Sequence, residues 1–309
     1  MSAPAAVVWP RPLSPGDEVA VVAPAGPFPR SEFFAGLAWL RQRYRVHVRS
    51  DILSATGYLA GDDVRRAAEL ASALNDPRFR AVIAARGGYG ATRLLERVSF
   101  ADFAARPRWV CGFSDITTLH IEAATAGVAS IHSANVTGLA AASAGDRCDL
   151  LRALEGDPRP RTWSNIARIG LGERGKAEVP RVEGPLFGGN LTLLFTQAAA
   201  GRLAPPKGAI WLLEDVGERP YRIDRMLTAL AKYFSDAAAI VLGEFTNCDV
   251  ATDPVRVADV FEHFARGVRV PVFGGAPFGH GTTNAPWIQG ARARLEGTSL
   301  VMFAEPWRP

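Results

Sequence analysis

The stretch RWVCGFSDITTLHIEAATAGVASIHS, residues 108–133, decides the fold because it reads as a strand, a helix and a second strand in succession. Short apolar runs such as RWVCGF and VASIHS are typical of strands buried in a parallel sheet. The same alternation extends back to Asp17, through EVAVVAP, SEFFAGLAWLRQRY, RVHV, DDVRRAAELASALN and AVIAARG. The pattern predicts an α/β fold, a parallel sheet with helices on both faces.

In such a sheet, ligands and chemistry gather at the loops that follow the carboxyl ends of the strands. Three loops of the predicted sheet carry glycine or serine at these ends: APAGPF (23–28), RGGYGATR (86–93) and GFSD (112–115). These loops are therefore the first place to look for a functional site.

At 309 residues, the chain is long enough for two domains. We predict a first domain over residues 1–140 and a linker over 141–181, where the alternation stops and EGDPRPRTW occurs. Residues 182–309 mix strands and helices less regularly. They predict a smaller, mixed α/β C-terminal domain whose topology the sequence does not reveal.

Composition excludes several classes of function. With 48% hydrophobic and 21% charged residues, the chain is that of a soluble globular protein. Its net charge of +4 is scattered, with no basic run that would bind nucleic acid. No segment approaches the ~20 apolar residues of a membrane-spanning helix, and the MSAPAAVVWPRP start is not a secretory signal.

Cysteine and histidine usage points to a reducing compartment and away from metal. Cys111, Cys148 and Cys248 are an odd number of widely separated cysteines, which favours a cytoplasmic protein without disulfides. The five histidines show no metal-ligand spacing, so we expect no metal and no cofactor. GLGERGKA (170–177) formally matches a nucleotide-binding glycine motif, but TWSNIARI before it is not a convincing buried strand and Pro180 prevents a following helix, so it predicts a surface turn.

Ser114 has two interpretations. Gly112 would permit a sharp turn from strand to helix that presents the serine as a nucleophile, with the Asp115 N–H placed to stabilise an oxyanion. Alternatively, Ser114 simply caps the helix, a common role for serine at that position. The spacing G-x-S-D lacks the second glycine of a full nucleophile elbow and does not decide between them.

A serine nucleophile needs a base and a carboxylate that orients the base. His280, between glycines in FGHG, is a candidate base, although a lone histidine is often structural. Glu214 and Asp215 end the apolar strand AIWLLEDV, and either could be the carboxylate. The glycines of RGGYG could present bare N–H groups to an oxyanion or could simply form a tight turn.

Six segments in order, RGGYGATRLL, GFSDITTLH, GPLFGGNLTLL, LLEDVGERPYRIDRML, VLGEF and FGHG, resemble the L,D-carboxypeptidase family of serine peptidases. That family includes the microcin C self-immunity peptidases. The resemblance covers nearly the whole chain from Asp17. It implies a flavodoxin-like N-terminal half that carries the serine, a C-terminal domain that supplies acid and base, and a homodimer.

Carried onto this chain, the resemblance makes Ser114 the nucleophile, Glu214 the orienting acid and His280 the base. The oxyanion hole would consist of the backbone N–H groups of Asp115 and Gly88. Two segments depart from the family pattern: IHSANV (131–136) stands where His-Gly-Pro is common, and NAPWIQG (284–290) replaces a more usual Leu-Pro-x-Gly. These departures bear on the shape of the substrate pocket.

The resemblance implies a small peptide as substrate, namely murein tetrapeptide cut before its terminal D-alanine. Arg86 and Arg222 are candidates to bind the free carboxylate, although either could be an ordinary surface arginine. An alternative substrate is a peptidyl or aminoacyl nucleotide, on whose base Trp287 could stack. A third hypothesis is a non-catalytic protein that binds a ligand in the cleft between its domains.

Overall fold

The computed structural model describes residues 7–101, 103–170 and 181–306, in two compact units. The N-terminal unit comprises residues 7–157 together with 285–289, and the C-terminal unit comprises the remaining described residues. Among the described residues, the C-terminal unit is the smaller of the two. None of the described helices is both long and apolar enough to cross a membrane. Residues 171–177 of the GLGERGKA motif lie outside the described residues.

The N-terminal unit alternates strands and helices as predicted. Its elements are β1 (Glu18–Val22), α1 (Arg30–Arg41), β2 (Arg45–Val48), α2 (Asp63–Asn75), β3 (Phe79–Ala84), β4 (Trp109–Gly112), α3 (Thr117–Thr125), β5 (Ser130–His132), α4 (Val136–Leu139) and α5 (Ala144–Leu154). Short 3₁₀ helices cover Ala91–Leu94, Phe103–Ala105 and Ser114–Ile116.

The C-terminal unit is built around a second sheet. Its elements are β6 (Arg161–Trp163), β7 (Ala167–Arg168), β8 (Val182–Asn190), α6 (Leu191–Ala199), β9 (Ile210–Val216), α7 (Pro220–Phe234), β10 (Ala239–Thr246), α8 (Val257–Gly267) and β11 (Val272–Gly274). After β12 (Trp287–Gln289), which belongs to the N-terminal unit, follow β13 (Ala291–Glu296) and β14 (Ser299–Pro306).

The first sheet confirms the predicted flavodoxin-like fold. Its strands β2-β1-β3-β4-β5 are parallel and lie in the flavodoxin order. β12 joins the edge antiparallel to β5. Because β1, β3 and β4 are neighbours, the three loops singled out in the sequence leave adjacent strands at one end of the sheet.

The second sheet confirms the mixed architecture and supplies the order that the sequence could not give. It runs β6-β14-β13-β8-β9-β10-β11-β7. The central strands β8 to β11 are parallel, and antiparallel strands flank them on both sides. β9 and β10 are almost wholly buried at their beginnings, which fits their unbroken apolar sequences.

The described part of the segment 141–181, for which the sequence predicts a linker, has regular secondary structure. It contains α5, β6 and β7. The Ser143 hydroxyl accepts a hydrogen bond from the Asp146 N–H and thereby caps α5, and Leu150 and Leu154 on this helix are buried. The described boundary between the two units falls at residues 157 and 158.

Candidate active site

Ser114 lies in a strained turn immediately after β4. Its φ angle is 65°, in the left-handed region that non-glycine residues seldom adopt. Gly112, two residues earlier, also has a positive φ, 151°. The 3₁₀ helix Ser114–Ile116 then leads directly into α3. This is the sharp strand-to-helix turn that a serine nucleophile requires.

The capping interpretation of Ser114 is wrong. The residue that precedes the 3₁₀ helix is Phe113, and the one that precedes α3 is Ile116. Neither N-terminus has a side-chain capping hydrogen bond. A capping serine has extended backbone angles, whereas Ser114 is left-handed. Its half-buried side chain is therefore not committed to the helix.

Buried polar groups from neighbouring elements hold this turn. His120 Nε2 lies 2.9 Å from the Gly112 carbonyl oxygen, and His120 Nδ1 lies 2.8 Å from Ser130 Oγ. Burial lowers the pKa of His120 to about 4, so the ring is neutral at pH 7. The Phe113 N–H donates to Asn135 Oδ1 at 3.2 Å. One segment that departs from the family pattern, 131–136, thus supports the turn.

We expect His120 to make the protein sensitive to acid. The contribution of the buried neutral ring is complete above pH ~6.5 and is lost as the pH falls towards about 4, because only the unfolded chain takes up the proton in this window. By linkage, this can amount to about 3 kcal/mol of the free energy of unfolding. His120→Asn should remove that part of the loss, measured by urea unfolding at about pH 8 and about pH 4.5.

The matched control is His47→Asn, which removes a partly exposed histidine from the same unit. It should keep the acid sensitivity of the unaltered protein. An equal loss of stability in acid for His120→Asn and the unaltered protein would contradict the assignment.

The glycine loop 86–90 packs against the nucleophile. A Cβ atom added to Gly87 would lie 2.8 Å from Ser114 Cβ and 3.0 Å from Ser114 Oγ, so no side chain fits there. Gly88 follows with a φ of 105°. The Gly26 N–H donates to the Gly87 carbonyl at 3.0 Å, which joins the loop to the one after β1. This close approach explains why the loop needs consecutive glycines.

The Asp115 side chain has a partner that the sequence did not reveal. Its carboxylate is buried and accepts a hydrogen bond from the Ala91 N–H at 2.7 Å. The sequence predicted a role for the backbone N–H of this residue and none for its side chain. The interaction connects the nucleophile turn to the end of the glycine loop.

In the C-terminal unit, Glu214 and His280 form a short hydrogen bond. His280 Nδ1 donates to Glu214 Oε2 at 2.6 Å. Glu214 lies near the end of β9 and is fully buried, whereas 18% of the His280 side chain is exposed. A buried carboxylate bonded to Nδ1 fixes the ring orientation and leaves Nε2 as the available base.

The histidine loop is fixed by glycines and by Asn284. Gly279 has a φ of 123°, and a Cβ atom there would lie 3.2 Å from Glu214 Oε2. Its N–H donates to Asn284 Oδ1 at 3.1 Å. Asn284 begins the second departing segment, so this departure also supports a candidate site residue.

Asp215 has a different environment from Glu214, because neighbouring residues of a strand point to opposite faces. It is buried and accepts hydrogen bonds from Asn190 Nδ2 at 3.0 Å, the Thr192 N–H at 2.9 Å and Thr192 Oγ1 at 2.8 Å. Burial raises its pKa to about 6. Asp215 therefore ties β9 to the beginning of α6, while Glu214 contacts the histidine.

The three candidates for substrate binding, Arg86, Arg222 and Trp287, all have partners within the protein. Arg86 is exposed and donates to the Pro27 carbonyl at 2.5 Å. Arg222 is an exposed residue of α7 beside Glu218 and Tyr221. Trp287 is fully buried in β12, stacked on His132 with ring centroids 5.0 Å apart. The expectation that Trp287 could stack on a nucleotide base is therefore wrong, because its ring is part of the core of the N-terminal unit.

Comparison with known proteins places the chain in a family. Residues 19–133 match the LD-carboxypeptidase N-terminal domain, and residues 183–295 match the LD-carboxypeptidase C-terminal domain. Murein tetrapeptide carboxypeptidase of Pseudomonas aeruginosa is 34% identical over 294 residues, which cover 91% of this chain and 94% of that protein.

Solved structures of similar proteins support the same family assignment. Muramoyltetrapeptide carboxypeptidase from Oxalobacter formigenes superposes with a TM-score of 0.80 at 27% identity, over 94% of this chain and 100% of that one. The microcin C7 self-immunity protein MccF has a TM-score of 0.81 at 19% identity, over 96% of this chain and 99% of that one, and so shares the fold. The chain therefore belongs to the LD-carboxypeptidase family and is a serine-type carboxypeptidase.

Proposed function

We propose that the protein removes the terminal D-alanine from murein tetrapeptide, cutting the amide bond that follows the L-centre of a diamino acid. The similarity to murein tetrapeptide carboxypeptidase over nine-tenths of the chain supports this substrate. The observation that carries the chemistry is the 2.6 Å hydrogen bond between His280 and the buried Glu214. A left-handed serine on a strand-to-helix turn supplies the matching nucleophile.

In this proposal, Ser114, Glu214 and His280 act as a triad. His280 Nε2 takes the Ser114 hydroxyl proton as Oγ attacks the carbonyl carbon of the scissile amide. The N–H groups of Gly88 and Asp115 stabilise the resulting oxyanion. His280 then gives the proton to the departing nitrogen, so that D-alanine leaves and the shortened peptide stays esterified to Ser114.

Water completes the cycle. His280 takes a proton from a water molecule, whose oxygen attacks the ester carbonyl, and the peptide leaves as a carboxylic acid when the proton returns to Ser114 Oγ. Throughout, Glu214 keeps the Nδ1 proton in place and stabilises the charged imidazolium. A positioned base and an oxyanion hole are each worth about 10² to 10⁴ in rate.

A direct competition experiment tests the substrate. Purified protein is incubated with murein tetrapeptide and with an aminoacyl sulfamoyl adenosine, and both are followed by mass spectrometry. We expect loss of D-alanine from the tetrapeptide and no turnover of the nucleotide. Because Trp287 is buried and stacked on His132, its ring is not available to stack on a nucleotide base. Turnover of the nucleotide alone would refute the proposed substrate and favour the microcin-type alternative.

We also propose a cytoplasmic homodimer. All three cysteines are free thiols, in keeping with a reducing compartment. The family resemblance supports the dimer. Light scattering on the purified protein should give twice the 33.1 kDa mass of one chain, and a monomeric mass would contradict it.

A further inference from the structure

The glycine loop that contacts Ser114 is held at its far end by buried charged groups. Asp115, next to the nucleophile, is 1% exposed, and its carboxylate accepts the Ala91 N–H at 2.7 Å. This hydrogen bond joins the residue that follows the nucleophile to the end of the glycine loop.

A buried arginine, Arg66, also binds the backbone at this end of the glycine loop. Arg66 of α2 is fully buried and donates to the Gly90 carbonyl at 2.8 Å. It also donates to the Pro24 carbonyl, in the loop after β1. A Cβ atom at Gly90 would lie 2.6 Å from Arg66 Nη1, so the loop backbone is in direct contact with the guanidinium. Arg66 and Asp115 thus bind the carbonyl and the N–H group of one peptide unit, the one that joins Gly90 to Ala91.

Burying a carboxylate costs free energy unless its oxygens are hydrogen-bonded. Burial raises the pKa of Asp115 to about 6, while the hydrogen bond from Ala91 and the charge of Arg66 oppose that rise. An apolar residue at this position in the 3₁₀ helix would avoid the cost of burial. Among the described residues, the hydrogen bond that this carboxylate accepts comes from the end of the glycine loop.

We infer that Asp115 is a positioning residue of the oxyanion hole, whose carboxylate fixes the glycine loop 86–90 relative to the nucleophile turn. This inference rests on the proposed function. One residue then sets the separation of both proposed donors: its own N–H is one, and its side chain anchors the loop that carries the other, Gly88. The loop has no side chains of its own at 87, 88 and 90 with which to hold its shape.

The test compares Asp115→Ala, Asp115→Asn and the control Asp76→Asn, which removes a partly exposed carboxylate from the same unit. Misplacement of a catalytic group by about 1 Å can cost 10²-fold in rate, so Asp115→Ala should lower kcat about 10²-fold with KM changed less than about twofold. Asparagine keeps one acceptor for the Ala91 N–H but loses the charge, so Asp115→Asn should show a smaller loss, with kcat about three- to tenfold below normal. Asp76→Asn should leave kcat unaltered.

Measuring the affinity for murein tetrapeptide distinguishes a positioning role of Asp115 from general damage to the structure. In the Ser114→Ala background, adding Asp115→Ala should change the Kd for murein tetrapeptide by less than about twofold, because ground-state binding does not use the oxyanion hole. A loss of affinity as large as the loss in kcat would overturn the inference. So would kcat within about threefold of normal for a folded Asp115→Ala.

If Asp115→Ala does not fold, the kcat of Asp115→Asn tests the inference instead. Normal kcat in a folded Asp115→Asn, or failure of both variants to fold, would overturn the inference in favour of a purely structural carboxylate. The proposed function fails separately, if Ser114→Ala alone retains turnover.

Discussion

Replacing Ser114 with alanine should abolish hydrolysis of murein tetrapeptide while the protein remains folded. Without Oγ, no ester can form, and kcat should fall by about 10⁴-fold or more. Alanine removes only one oxygen, from a half-buried side chain that caps no helix, so the free energy of unfolding should change little. The left-handed φ of 65° is equally unusual for both residues. Steady-state kinetics and thermal unfolding provide the two measurements.

The control for this variant is Ser72→Ala, at an exposed position of α2. It should match the unaltered protein in both kcat and melting temperature. Residual turnover in Ser114→Ala above about one per cent of normal would argue for a different nucleophile.

Glu214→Gln should be the second most damaging change. Glutamine preserves the volume, but its amide can donate to Nδ1 and so favours the tautomer in which Nε2 carries the proton and cannot act as base. We expect kcat to fall by about 10³- to 10⁴-fold with little change in KM. The double variant Glu214→Gln, His280→Ala should be no slower than His280→Ala alone, because residues that act as one unit lose their effect together.

Asp215→Asn provides the matched comparison one residue away. Asp215 accepts hydrogen bonds from Asn190 and Thr192, whereas Glu214 is the carboxylate that binds His280, so the change should lower the melting temperature and leave kcat within about threefold of normal. Equal losses of kcat from Glu214→Gln and Asp215→Asn would contradict the assignment of the acid.

The sequence predicted the N-terminal sheet well because its information is local. Each strand and helix of that unit is a contiguous pattern, and the rules for parallel sheets place the loops after β1, β3 and β4 at one end. β12 could not be predicted in the same way. It is three residues long and pairs with β5 far back in the chain, a long-range contact that local pattern does not report.

The candidate site likewise combines features that the sequence could predict with others that only long-range contacts reveal. Ser114, Glu214 and His280 were identified through ordered motifs, but residues alone could not choose between Glu214 and Asp215. Alternation puts the two carboxylates on opposite faces of β9, and only tertiary structure shows which face meets the histidine.

The supporting residues were missed for a physical reason. Arginine is mostly exposed in folded proteins, yet Arg66 is fully buried, and acidic residues are common in the first turn of a helix, where Asp115 lies. The bonds by which these two residues hold the glycine loop go to backbone groups, which carry no sequence signal. The carboxylate at 115, directly after the candidate serine and before an apolar helix, was the available hint.

Labelling with a fluorophosphonate tests the central claim most directly, since it asks whether Ser114 is a nucleophile activated within the protein. The account predicts a single phosphonylated peptide containing Ser114, with labelling lost in Ser114→Ala and strongly slowed in Glu214→Gln. A protein that hydrolyses murein tetrapeptide at full rate after exhaustive treatment, with Ser114 unmodified, would contradict it.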